Sequence, residues 1–288
     1  MAEWTRQPST MAAVPKPGSV IPERPRRVLV TKIVVAVKYV PDATADRTFT
    51  SDNTVDREGV DGLLSELDEY AVEQALQVVE AGEGEVTVLT VGPADAADAV
   101  RKALQMGADA GVHVEDDAIA GSDAFATSLV LAKAIEKLDY DLVFFGMAST
   151  DGGLGIVPTL VAERLGLPAV TFASEVSVDG DTVTIRRDGD AATQEIQASG
   201  KLVVSVTDQT GEARYPSFKG IMAAKKKPVE SWSLADLGVD AGDVGLDNAW
   251  SAVESSTPRP PRTAGEIVTD EGDGGSKLVD FLAAKKFV

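Results

Sequence analysis

The chain has no cysteine, which excludes disulfides, thiolate nucleophiles and cysteine-held iron–sulfur clusters. It has one histidine, His113. A catalytic triad or a histidine-based metal site would need that residue, yet it sits in the apolar run Gly111-Val-His-Val114 and reads as part of a strand between helices. Long hydrophobic runs are missing as well; none approaches the ~20 residues that cross a bilayer. Positive charge is scarce, with 27 Lys and Arg against 46 Asp and Glu, a net charge of −19. Such a surface repels nucleic acid and anionic lipid. The carboxylates form no calcium-loop spacing.

What is present is an apolar fraction of 44% over 288 residues, ample for a large core. Residues 1–29 stand apart: Pro8, Pro15, Pro17, Pro22 and Pro25 interrupt any element, and Arg24, Arg26 and Arg27 add positive charge. With no apolar h-region this is not a secretory signal, and a disordered extension is expected. From Thr31 onward, strands alternate with helices. Thr31–Lys38 reads as a buried strand, and 65–79 as a helix with Leu67, Ala71, Ala75 and Val78 on one face. Glu85–Gly92 is a strand, and Pro93 opens a helix through Leu104. Gly111–Val114 is a strand, and Ser122 and Asp123 cap a helix to about Leu138. The pattern predicts an α/β fold with a doubly wound parallel sheet.

The strand Leu142–Phe145 leads into the most informative stretch, Gly146-Met-Ala-Ser-Thr-Asp151-Gly-Gly-Leu-Gly-Ile-Val157, after which Ile156, Leu160, Val161 and Leu165 fall at helical spacing. Ligands of open parallel sheets sit in such loops beyond the strand carboxyl ends. Glycines at 146, 152, 153 and 155 permit close backbone approach, and the N–H groups opening the next helix offer an anion a site without a lysine. A tight strand-to-helix turn would use the same glycines for geometry alone. The loop lacks the Gly-Lys-Ser/Thr ending of a P-loop NTPase.

Beyond Pro168 the pattern changes. Residues 173–198 alternate as a β-hairpin turning at Asp179-Gly180, with Thr193–Gln197 as an added strand. Lys201–Thr207 is again a buried strand. Residues 208–228 form a loop and short helix, ending in Lys225-Lys-Lys227, either a solvated face or a charge that steers an acidic partner. Phe218 stands among polar neighbours and either anchors a partner or folds back onto its own domain. Residues 229–288, rich in Pro, Gly and acidic side chains, are expected to be a C-terminal arm that needs a surface to lie on. The amphipathic segment Ser276–Lys285 ends that arm.

Several separated stretches carry a resemblance: Ile33-Val-Val-Ala-Val-Lys38, Ala103-Leu-Gln-Met-Gly-Ala-Asp109, Thr171-Phe-Ala-Ser174, Arg214-Tyr-Pro-Ser-Phe-Lys-Gly-Ile-Met222 and Arg262-Thr-Ala-Gly265. From Thr31 to Val288 the chain resembles the β subunits of electron transfer flavoproteins. The resemblance implies a sheet similar to adenine-nucleotide α-hydrolase and universal-stress folds, in a heterodimer whose α subunit holds most of an FAD. It implies a structural AMP in this chain, contacting Ala36, Ser65, Glu66, Leu67, Asp68, Val91, and Gly146, Met147, Ala148, Ser149, Thr150, Asp151, Gly152, Gly153, Leu154, Gly155, Ile156 and Val157. Flavin-side aromatics of some relatives map near Ala43 and to Leu67; Leu67 also has a core reading.

The resemblance further implies that Phe218, Ile221 and Met222 form the loop that recognises acyl-CoA and other flavin dehydrogenases, with electrons passing on to a quinone oxidoreductase in a bacterial cytoplasm. The chain is expected to be a carrier subunit and not an enzyme. A bifurcating form with a second FAD here is similar but carries an Asp-Gly-Asp-Thr-like loop where this chain has Asp151-Gly-Gly-Leu154. A universal-stress regulator would lack the hairpin, the Phe218 loop and the arm.

Overall fold

The computed structural model describes residues 31–57, 59–262, 265 and 267–288; the expected extension at 1–29 lies outside them, as does part of the Arg262–Gly265 stretch. The first half runs β1 (Thr31–Ala36), β2 (Tyr39–Pro41), β3 (Gly62–Leu64), α1 (Glu66–Ala81), β4 (Gly84–Val91), α2 (Ala97–Met106), β5 (Ala110–Val114), α3 (Ala124–Glu136), β6 (Leu142–Gly146) and α4 (Val157–Leu165). The second half runs β7 (Ala169–Ala173), β8 (Glu175–Asp179), β9 (Thr182–Asp188), β10 (Thr193–Ser199), β11 (Leu202–Val206), α5 (Phe218–Ala224), β12 (Val229–Trp232), α6 (Leu234–Leu237) and α7 (Gly274–Ala284).

Seven strands form one sheet in the order β12-β5-β4-β1-β6-β11-β7, with every pairing parallel. The apolar runs are nearly continuous because both faces are covered. Alternate residues of one strand serve opposite cores: Ile33 and Val35 of β1 pack with Ala71, Ala75, Ala99 and Val100 of α1 and α2, while Val34 and Ala36 pack with Val130, Val161 and Leu234 of α3, α4 and α6. Strand β6 repeats the division, Leu142 and Phe144 to the first core and Val143 and Phe145 to the second. The expected hairpin is present as β8 and β9, with β10 completing a three-stranded antiparallel sheet whose Val183 and Ile185 enter the first core. Asp123 caps α3 by accepting from Ala126 N at 3.0 Å; Ser122, expected to share the cap, instead accepts from Gly245 N at 2.8 Å.

The chain order creates a reversal beside β1. From β1 it builds outward to β4 and β5, then returns to set β6 on the other side of β1. The carboxyl ends of β1 and β6 therefore lie at a switch point, the place where doubly wound sheets take their ligands.

The expected arm at 229–288 is cut differently here. The described residues up to Ala252 belong to one compact unit, and the described residues from Val253 onward to a separate one. Val229–Trp232 pairs with β5 in parallel as a sheet edge, and Leu234, Leu237, Val239 and Val244 are buried in the second core. A four-residue strand is too short to show a period, and a capping box at Ser233 and Asp236 opens only one turn of helix. In the second unit α7 has no buried residue. Ending the chain after Ala252 is therefore expected to leave the sheet unit's thermal unfolding midpoint unchanged. Ending it at Ser231 strips four buried aliphatics worth about 1.5–3 kcal/mol each and should lower that midpoint sharply; equal midpoints for the two truncations would contradict this partition.

Candidate functional site

Three separated stretches meet at the reversal. Beyond β1 the chain passes Val37 and Lys38 into β2, whose antiparallel pairing with β3 brings Ser65 back so that its N–H donates to Lys38 O at 2.9 Å. The start of α1 thus lies beside the end of β1. Asp68, in its first turn, is buried. Its carboxylate accepts from Lys38 N at 2.8 Å and from Gly146 N at 3.2 Å, joining the ends of β1 and β6. Gly146 must be glycine here, because a β carbon would meet Leu67 O at 2.7 Å and the Asp68 carboxylate. Ala36 is buried and Val91, closing β4, is half-buried; Glu66 is exposed. Leu67 is half-buried and belongs to neither core.

The glycine loop closes on Asp151. Its carboxylate pairs with Lys38 Nζ at 2.9 Å and with the Arg57 guanidinium, and accepts from Gly152 N at 2.7 Å. Gly153 N donates to Ser149 O at 2.9 Å, and Gly155 takes φ +69°. Met147, Ala148, Ser149 and Thr150 are half-buried, while Leu154 and Ile156 are exposed. Then α4 begins at Val157, with Pro158 in its first turn. The opening N–H groups of a helix have no acceptor within it and carry partial positive charge. Two hydroxyls in this region, Ser65 Oγ and Thr150 Oγ1, are buried without a hydrogen-bond partner. Buried polar atoms nearly always find one.

Lys38 and Arg57 were not anticipated from the sequence. Lys38 is the first polar residue past β1, a signal that could have been read; Arg57 comes from the irregular segment between β2 and β3 and gives none. The amides were expected to offer an anion a site without needing a lysine; Lys38 nonetheless lies against Asp151 of the loop. The two carboxylates have opposite electrostatics. Burial pushes the Asp68 carboxyl up to about 7, against two backbone donors and the Lys38 charge. Burial also raises Asp151, but the Lys38 ammonium and hydrogen bonds from Ser149, Lys38 and Arg57 more than offset it and hold Asp151 well below the usual carboxylate range.

A second region lies on the other side of α1. Arg214 forms a double fork, donating to both Glu73 oxygens at 2.7 and 3.0 Å and to Glu80, and Gln74 Nε2 donates to Thr210 O at 3.1 Å. These contacts tie the segment before α5 to α1. Phe218 is 81% exposed, with Tyr215, Met222 and Ile221 exposed beside it; Phe218 does not fold back. Of the three lysines, Lys225 and Lys226 are exposed, while Lys227 Nζ donates to Leu104 O and Gly107 O at 3.0 Å each and caps the end of α2. His113 is buried, its Nε2 3.0 Å from Gly92 O. Among the described residues no cluster of His, Asp or Glu could hold a metal, and no helix is long and apolar enough to cross a membrane.

A seven-stranded parallel sheet with helices on both faces, whose central strand ends meet a glycine loop and the first turn of α1, defines the class of doubly wound α/β proteins. A family model described as the electron transfer flavoprotein domain matches residues 52–237. The electron transfer flavoprotein subunit beta of Mycobacterium tuberculosis (strain H37Rv) is 48% identical over 265 residues, covering 90% of this chain and all of the relative. The same subunit of Mycobacterium leprae is also 48% identical over 265 residues. That of Thermoanaerobacterium thermosaccharolyticum is 38% identical over 239 residues, covering 82% of this chain and 92% of its own. The chain belongs to the electron transfer flavoprotein family, among its β subunits.

Asp68 generates a pH prediction. Its native value near 7 lies above the ordinary 3.8, so between those pH values the native state holds a proton the unfolded chain has released. Its stabilisation is complete below about pH 4 and is lost as pH rises toward 7, by up to about 1.4 kcal/mol per pH unit. Asp151, ionised in both states above pH 5, adds nothing in that window. Denaturant midpoints of the wild type should fall from pH 5 to pH 8 relative to those of Asp68→Asn; parallel profiles would contradict the assignment.

Proposed function

We propose that this chain is the β half of a heterodimeric electron carrier and holds a structural AMP at the switch point. The observation that carries the reading is the meeting of Ser65–Asp68 with Gly146–Val157, where two buried hydroxyls lack partners. An adenylate fits that chemistry: its phosphate takes the amides opening α4, and its hydroxyl-bearing ribose satisfies groups such as Ser65 and Thr150. Ala36 and Val91 form the apolar floor. Lys38 and Arg57 add positive charge near the phosphate while Asp151 keeps the loop folded.

The family reading assigns the redox centre to an FAD held mainly by an α subunit, which supplies one- and two-electron chemistry when bound. This chain's residues do the positioning. Phe218, Ile221 and Met222 form an exposed apolar surface for acyl-CoA and other flavin dehydrogenases, set in place by the pairing of Arg214 with Glu73 of α1. Lys225 and Lys226 offer charge that steers acidic partners. Residues 253–288 are the part of the expected arm that wraps the α subunit. Electrons pass onward to a quinone oxidoreductase, in the cytoplasm, as part of fatty acid oxidation.

Co-expression with an α subunit, denaturation and nucleotide analysis test the site. One flavin and one AMP per heterodimer are expected; two flavins would assign a second FAD to this site, and neither nucleotide would end the reading. For the docking surface, Phe218→Ala should lower kcat/KM with an acyl-CoA dehydrogenase by roughly 30-fold, about 2 kcal/mol of an anchor's contribution, with nucleotide content unchanged. An unchanged kcat/KM would move the docking site elsewhere.

A further inference from the structure

The stretch Thr171-Phe-Ala-Ser174, one of five that carry the resemblance, lies at the carboxyl end of β7. Its Phe172, in β7, has a backbone φ of +59°. For a bulky L residue this is a strained conformation that persists only when the surroundings enforce it. The enforcement is visible. Phe172 N donates at 2.9 Å to Ser205 Oγ of β11, a buried residue, and the β7–β11 register shifts between Val204 and Val206, beside that anchor.

The kink sends the ring to the glycine loop. Phe172 Cζ and Cε1 lie 3.6 and 3.8 Å from where a β carbon on Gly155 would be, and Met147 O lies 3.5 Å from the same point. Gly155 is left-handed, two residues before α4 begins. The residue remains 38% exposed. A strained backbone and an exposed ring both oppose stability, and both place the ring where a side chain on Gly155 would stand. The same loop contains Thr150, whose buried hydroxyl lacks a partner.

We propose that Phe172 is a positioning residue for the nucleotide site: its ring is a wedge that fixes the Gly155 turn, and with it the direction of the amides that receive a phosphate at the start of α4. The inference rests on the adenylate reading and deepens it. The wedge restricts the loop to one arrangement, so its removal leaves the phosphate contacts available but no longer pre-arranged.

The test uses the purified heterodimer and the rate at which bound AMP exchanges with labelled AMP. Phe172→Ala and Phe172→Gly both remove the ring, but only glycine accepts φ +59° without strain. The thermal midpoint of Phe172→Gly should therefore exceed that of Phe172→Ala, while both variants exchange AMP about tenfold faster than wild type, as a 1.4 kcal/mol loss would give. Phe172→Tyr keeps the wedge and should exchange at the wild-type rate. Wild-type exchange in the two ring-less variants overturns the inference alone. Exchange that follows the thermal midpoint, with glycine restoring the wild-type rate, also overturns it by assigning the effect to stability. A wild-type heterodimer that holds no AMP overturns the nucleotide reading itself and the wedge with it.

Discussion

The hydrogen bonds from Lys38 N and Gly146 N to one buried carboxylate hold the working end of this molecule together. Strand pairing aligns β1 and β6 only as far as Ala36 and Phe145. Beyond that point the two chains diverge, and Asp68 bridges them from the first turn of α1. A buried carboxylate is costly unless hydrogen-bonded. Here backbone donors at the ends of β1 and β6 offset only part of that cost, and side chain and backbone define each other. The nearly neutral pKa records how little of the burial penalty those bonds recover.

Helix α1 then links two surfaces. Its first turn carries Asp68, and its later turns carry Glu73, Gln74 and Glu80, which grip Arg214 and Thr210. The exposed segment with Phe218 and Met222 is thus referenced to the same rigid rod as the switch point. Forked contacts between Arg and carboxylate add geometric precision that a single point charge lacks. The pairing of Arg214 with Glu73, which is almost wholly buried, holds the backbone before α5, so an apolar surface can remain exposed without collapsing onto its own domain.

How much of this the sequence disclosed depends on the kind of signal. Buried parallel strands such as Leu142–Phe145 are legible because both faces demand apolar residues, and Gly146–Gly155 because that glycine density is rare outside a turn or a ligand loop. The segment 229–252 was not, since a four-residue edge strand and a single helical turn carry no period, and its buried Leu234, Leu237, Val239 and Val244 are spaced by loop geometry. Arg57 was hidden for a related reason: its pairing with Asp151 joins residues 94 apart through an irregular segment. Asp68 was placed at the site by resemblance, but its bridging role follows only from three-dimensional convergence. Phe172 was quoted within a recognised stretch, and its backbone angle is invisible to any pattern of residue types.

Several departures from local rules fall at one end of the sheet. Elsewhere helices bury alanine and valine, strands alternate between two cores, and caps are made by Asp123 and Ser233. At the carboxyl ends of β1, β6 and β7 the chain instead keeps a buried carboxyl with a raised pKa, two hydroxyls without partners and an aromatic in the left-handed region. Each lowers stability. Of these groups the two hydroxyls alone lack partners within the protein, and such costs at a strand-end loop are the kind that functional sites carry. The sheet's two covered faces supply the stability against which this local cost is tolerated.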